Sequence, residues 1–321
     1  VRVEAAGGSN SAIEIGYLTR REAEAIRAEL LHKIAPPEEP QGGFLVPPIP
    51  VARSLAGAGL RLSTLFALTW SLIPTVTDFS ATVILPVIVG FIPQIWRQID
   101  QSWRYNATLD GDVLHLSYGL ANRRTQAVPL DRIHAISLSQ PVLWRIFGWW
   151  SVSVNIAGYG RESNKASGTS RLLPVGSYEQ ALELIEAISP LPRELIISPD
   201  WDLRSPRRAR LASPIDASRQ ALALTPLAGT TYATTSHGLL SRRLEFVEVP
   251  HIQEVTLRVG PVQRVLKVAS VRFDLVPGPV RMTARDLELN EAWELVEALS
   301  ARELPPVTPR PGSPTDATPH T

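Results

Sequence analysis

The sequence predicts a mainly β chain with helices (α+β), built from tandem copies of one small β-barrel domain, each closed by a C-terminal helix, plus an apolar helical hairpin. Three observations carry this. Residues 117–156 align without a gap on 236–275, at a constant offset of 119. Each copy reads as short strands followed by one amphipathic helix. Between Arg61 and Arg97 the only charge is Asp78.

The alignment pairs Ser117, Gly119, Leu120, Arg123, Arg124, Val128, Ile133, Leu138, Arg145, Ser151 and Val152 with Ser236, Gly238, Leu239, Arg242, Arg243, Val247, Ile252, Leu257, Arg264, Ser270 and Val271. Apolar positions stay apolar between them, as in duplicated domains that keep a core and change a surface. A period this long exceeds that of solenoid repeats, so whole domains stand in tandem, an organisation suited to binding and scaffolding.

In chain order, Val1 to Gly7 resembles Val152 to Gly158, so residues 1–33 read as the closing strands and helix of a partial first domain. Thr19 and Glu22 form a capping box there, with Ala23, Ile26 and Leu30 on one helical face. The chain therefore reads as truncated at its N-terminus or started at the wrong codon. Residues 34–60 form a Pro-rich linker. The stretch 61–97 follows, with spans 62–77 and 79–96 each about long enough to cross a bilayer. Arg53 and Arg61 before it and Arg97 and Arg104 after it place both ends in the cytoplasm and Asp78 outside. Pro74, Pro86 and Pro93 fit a membrane span better than a buried helix pair.

The middle domain, 98–190, opens with strands Tyr105–Leu109 and Val113–Ser117 around Asp110-Gly111, a favoured hairpin turn. Arg124–Leu130 and Ile136–Ser139 are further strands. Pro141–Phe147 is one helical turn before Gly148, and Trp149–Ile156 and Ser170–Val175 complete the strands. Ser177 and Gln180 cap a helix that aligns Ala181, Leu184, Ile185 and Ile188. The third domain, 191–302, ends in a helix carrying Ala292, Leu295, Val296 and Leu299. Residues 303–321, rich in Thr, Ser and Pro, read as a disordered tail.

Composition narrows the function. A net charge of +1 argues against nucleic acid as a partner. The absence of cysteine excludes disulfides and thiolate chemistry. The 28 prolines concentrate at the seams 36–50 and 190–226 and in the tail. No signal peptide is visible, since the first residues read as a strand and a helix. There is no Gly-x-Ser-x-Gly, no phosphate-binding glycine loop and no dinucleotide fingerprint. His32, His115, His134, His237, His251 and His320 lack metal-ligand spacing. No catalytic, cofactor or metal residue is assigned, and no cofactor is expected.

The run from Gly119-Leu120 through Arg123-Arg124, Ile133, Pro141 and Gly148 to Val152 and Val154 resembles the bacterial pleckstrin-homology (PH)-like domain, in its membrane-anchored tandem form often called YdbT-like. In the third domain the matching residues are Gly238-Leu239, Arg242-Arg243, Ile252, Gly260-Pro261, Arg264, Val271 and Phe273. Ser205 to Leu211 also looks like that family's entry to its last domain. The resemblance implies tandem PH-like folds and a multipass location in the cell (inner or plasma) membrane, with the domains cytoplasmic. It transfers no catalytic mechanism and no ligand site. Lys267 stands where the middle domain has Gly148, so a different turn is expected there.

The candidate contact residues are Arg123, Arg124, Arg242 and Arg243, with Arg207, Arg208 and Arg210 in the linker beside Arg204. Basic pairs at a strand entry near a bilayer would touch anionic headgroups, at about 1 kcal/mol each. The plain alternative is that strand neighbours point to opposite faces, one solvated and one paired with a carboxylate. Trp144, Trp149 and Trp150 read as core or as a partner-facing patch. The expected partners are the membrane, a protein or a second copy of this chain, and anionic lipid. The reading is a non-enzymatic binding and assembly module, with lipid-surface binding the alternative and a hydrolase the remote third.

Overall fold

A computed structural model describes residues 2–4, 12–14, 45–47, 49–61, 64, 100, 103, 105–120, 124–158, 170–214, 220–227 and 229–301. Near the N-terminus, β1 (Arg2–Glu4) and β2 (Ala12–Glu14) pair antiparallel with Val3 opposite Ile13. Helix α1 (Val51–Gly59) follows, starting just after Pro50.

In the middle repeat, β3 (Asn106–Asp110), β4 (Val113–Tyr118) and β5 (Arg124–Pro129) form a three-stranded antiparallel sheet. The hairpin turn sits one residue later than expected: Asp110 pairs with Val113, and Gly111 takes φ 54°. Strands β6 (Ile133–Pro141), β7 (Trp150–Ile156) and β8 (Arg171–Gly176) make a second sheet. Helix α2 (Tyr178–Ile188) closes the repeat. Its capping box is formed: Gln180 N–H donates to Ser177 Oγ at 3.2 Å, and Ser177 N–H donates to Gln180 Oε1 at 3.0 Å. Ala181, Leu184, Ile185 and Ile188 are buried, the face that the 3.6-residue period marks.

After the short α3 (Arg193–Ile197), the third repeat repeats the plan. It has β9 (Leu203–Arg204), β10 (Ala221–Leu227), β11 (Thr230–His237) and β12 (Ser241–Glu248). Then come β13 (Glu254–Arg258), α4 (Pro261–Leu266), β14 (Val268–Asp274), β15 (Thr283–Glu288) and α5 (Leu289–Ser300).

The expected closed barrels are not formed; the sheets are open. The edge that closure would have satisfied is satisfied by the next repeat instead. Strand β12 pairs antiparallel with β6 from Ser241↔Pro141 to Val247↔Ala135, giving one seven-stranded sheet in the order β8-β7-β6-β12-β11-β10-β9. A bare edge strand is a liability, and pairing it removes the liability without a barrel.

The two cores lie on opposite faces of this shared sheet. Leu244 and Phe246 of β12 join Leu138, Val152, Val154, Leu173 and Ile185 in the core of the middle repeat. Ala135 of β6 and Val247 join Val271, Phe273, Leu287 and Leu295 in the core of the third. Each buried Val, Leu, Ile or Phe among them contributes about 1.5–3 kcal/mol, so each repeat is completed by side chains of the other.

The third repeat's turn does not differ as expected. Lys267 ends α4 in the left-handed region (φ 54°, ψ 42°), matching Gly148 (φ 64°, ψ 22°) after the 3₁₀ turn Val142–Phe147. Backbone hydrogen bonds from Lys267 N–H to Arg264 O and from Leu289 N–H to Lys267 O hold this exposed lysine in a conformation costing it about 1–2 kcal/mol.

The anticipated hairpin spans, the helix around residues 19–30 and the tail lie outside the described residues. Among the described residues no helix is long and apolar enough to cross a membrane.

Candidate functional site

Opposed residues in an antiparallel ladder point to the same face, so the registers of the shared sheet arrange its second face into rows. One row is His237, Arg243, Ser139, Ser151. The next is Thr235, Glu245, Ser137, Ser153, Arg171. The third is Ala233, Val247, Ala135, Asn155, where the core of the third repeat begins. The face thus passes from apolar to polar along the strands.

The polar rows are largely enclosed: Ser137, Ser151, Thr235, His237 and Glu245 are all buried. Ser139 Oγ and Ser151 Oγ lie 2.9 Å apart. Thr235 Oγ1 donates to Glu245 Oε2 at 3.4 Å, and His237 Nδ1 stands 3.9 Å from that oxygen. Burial pushes the Glu245 carboxyl up to about 7, against the opposing pull of Arg243, the Thr235 hydroxyl and Arg285.

Arg61 joins this face from the chain just after α1. Gly57 of α1 packs against Val175 and Trp144 with no room for a side chain. The buried Trp144 indole N–H donates to Gly57 O at 3.1 Å. The Arg61 guanidinium then lies over the Trp144 ring, 5.4 Å from its centroid. Arg61 Nε is buried without a hydrogen-bond partner. Burial, followed by the positive charges of Arg171 and Arg243, lowers the Arg61 pKa to about 9. Burial also lowers that of Arg171. Among the described residues none of the three forms an ion pair with a carboxylate.

A model of the bacterial PH domain matches residues 54–190 and again 233–303. The chain belongs to the bacterial PH domain family. No curated protein and no solved structure matches it. Domains of this kind are generally non-catalytic binding modules, and the polar face lies where two of these PH units share a sheet.

The predicted contact residues of the bacterial PH units fall apart into different settings. Arg242 and Arg243 alternate across the sheet. The Arg242 guanidinium sits 5.8 Å from the Trp150 ring centroid, on the face of the middle core, and Arg243 joins the polar face. Gly238 before them takes φ 94°, and its Cβ position is blocked by Ser241 O, so the turn requires glycine. Arg124 lies in β5 opposite Tyr118, and Arg123 is outside the described residues. Arg208 is tied within its own PH unit, donating from Nε to Leu266 O at 2.9 Å and pairing with Glu288 at 3.0 Å. Arg204, Arg207 and Arg210 are exposed.

Trp144 and Trp150 are core residues, as one sequence reading had it. Beside them Ile146 and Phe147 are exposed at 76% and 52%, with Leu240 of the next PH unit at 49%. Arg145 Nη2 donates to Leu239 O at 2.6 Å and Val142 N–H to Leu240 O at 2.8 Å, holding these apolar tips together at the end of the sheet near Trp144.

Sequence reasoning missed Arg171, Glu245, His237 and Asn155, and took Arg61 for a hairpin flank only. The available signal was a charged residue inside an apolar strand run, Leu244-Glu245-Phe246-Val247, facing serines at alternate positions of Ile136 to Gln140.

Proposed function

We propose that the chain is a membrane-anchored, non-enzymatic binding module whose two bacterial PH units act as one rigid cytoplasmic platform for protein assembly. The observation that carries this is the β6–β12 pairing, which makes the repeats one sheet with interleaved cores rather than beads on a linker. Such a platform presents its surfaces in fixed geometry. Tethering it through spans 62–77 and 79–96 raises the effective concentration of every weak contact. Strand β13 stands at the repeat position of β6 and is the outer strand of its sheet, which favours assembly by strand addition, with a second copy or another protein.

The chain has no cysteine, so single introduced cysteines test both parts in membranes. Asp78→Cys should react with an impermeant thiol reagent from outside and Arg210→Cys only after permeabilisation. A Thr256→Cys carrying a photo-cross-linker should give one discrete adduct, abolished by Val255→Pro. Labelling of both sites from the same side, or no adduct on β13, would sink the corresponding part.

The alternative reading, attachment to anionic lipid, is favoured by one specific observation: among the described residues Arg61, Arg171 and Arg243 form no ion pair with a carboxylate. Arg208 and Arg242, occupied by Glu288 and Trp150, are poor candidates for it.

A further inference from the structure

We propose that Arg61, Arg171 and Arg243 form a phosphate-binding site on the second face of the shared sheet, filled by the phosphate of an anionic lipid headgroup. The site joins three segments that are distant in sequence. Arg61 is fixed over Trp144 at 5.4 Å; Arg243 stands opposite Ser139 in the β12–β6 ladder; Arg171 stands opposite Ser153 in the β7–β8 ladder.

The positive charges of Arg171 and Arg243 both act on the half-buried Arg61 guanidinium, and a cationic cluster of this kind needs a counter-anion. Among the described residues the carboxyl that shares their face is Glu245, which Thr235 and Arg285 also engage and whose ionisation burial resists. Ser139 and Ser151 supply hydroxyl donors beside the cations. A phosphate oxygen set, with several lone pairs and a fixed negative charge, matches planar guanidinium forks better than a monovalent halide does. Arg243 is exposed, and Arg61 and Arg171 are half-buried behind it in the same cationic group.

The source follows from position. Arg61 immediately precedes span 62–77, so a bilayer around that span sets its phosphate layer at the depth of Arg61. The exposed Ile146, Phe147 and Leu240 lie at the same end and suit contact with the acyl boundary. The choice of a lipid source rests on the membrane-anchored reading; the site itself does not.

The full chain in detergent micelles is titrated with dihexanoyl phosphatidic acid, dihexanoyl phosphatidylcholine and inorganic phosphate, following thermal stability. The expected result is tighter binding of the phosphatidic acid than of the phosphatidylcholine, by at least tenfold. Arg171→Gln/Arg243→Gln should lose at least tenfold of that affinity, while Arg258→Gln/Arg281→Gln at exposed positions elsewhere changes it less than twofold. If the first variant fails to fold, competition of inorganic phosphate against the lipid on the unaltered chain serves instead, and mutual displacement supports one shared site. Binding of inorganic phosphate alone overturns the headgroup assignment and keeps the site. No binding of either phosphate, or equal loss in both variants, overturns the proposal.

Discussion

Asn155 and Val280 are joined by two hydrogen bonds that cross from one repeat to the other. Asn155 Nδ2 donates to Val280 O at 2.9 Å, and Val280 N–H donates to Asn155 Oδ1 at 2.8 Å. A third bond runs from Nδ2 to Val276 O at 3.1 Å. The amide is fully buried and so is Val280, so the two bonds between them have no water to replace them. Asn155→Ala should cost about 2–4 kcal/mol, because a buried amide N–H and carbonyls are stranded together. Gly278 lies against the same amide, where a Cβ would overlap Asn155 Oδ1. Gly278→Ala should therefore destabilise in the same denaturant titration. The double variant should cost less than the sum, since both changes break one clasp.

Glu245 links stability to pH through its raised pKa. Between the ordinary carboxyl value of 4.5 and about 7 the folded state keeps a proton that the unfolded state has released. The unfolding free energy then falls as pH rises through that window. Glu245→Gln should remove this slope, giving a higher Tm than the parent at pH 8 and converging with it near pH 4.5. Parallel Tm curves for the two proteins would contradict the assignment.

His134 works in the opposite direction. Its ring stacks on His251 with centroids 4.0 Å apart and planes at 4°. The pair lies in a cleft of about 470 Å³ between the repeats, with Ile133, Ile188, Leu191 and Tyr232. Burial and then His251 lower the His134 pKa, although Glu248 and Asp131 oppose them. A histidine with a depressed folded pKa leaves the unfolded state binding more protons below about 6.5, so stability is lost as pH falls through that region. His134→Gln should flatten the acid limb of a Tm–pH profile below about pH 6.5.

Gly148 and Lys267 form a natural comparison, since both end an equivalent turn in the left-handed region. Nothing lies within 4 Å of a Cβ built on Gly148, so Gly148→Ala isolates the backbone cost of about 1–2 kcal/mol. Lys267→Gly relieves that same strain but frees the unfolded chain by about 0.4–1 kcal/mol. It should leave stability unchanged or raise it by up to about 1 kcal/mol, measured as the shift in denaturant midpoint.

Much of the local structure was legible in the residues. The offset of 119 located both repeats, Ser177 and Gln180 announced the start of α2, and the apolar spacing Ala181, Leu184, Ile185, Ile188 named its buried face. These are short-range signals: capping needs a hydroxyl and an amide three residues apart, and a helix face needs only a period. At Lys267 residue type marks a left-handed turn only by preference, and the backbone hydrogen bonds that close the turn outweigh that preference.

What the sequence by itself determined was therefore the repeat, the strand-and-helix grammar of each copy and the lack of catalytic motifs. The tertiary structure alone decided which edge meets which. The pairing of β12 with β6 joins Ser241 to Pro141 across a hundred residues of chain, and no local period records a partner so distant. That one choice of edge replaced two closed barrels by a shared sheet. It turned Leu244 and Phe246 into one core and Val247 into the other, and it brought Arg243 to the face shared with Arg171, where Arg61 arrives from the end of α1. Strand alternation is a property of sequence; the surface each side chain meets is a property of the pairing.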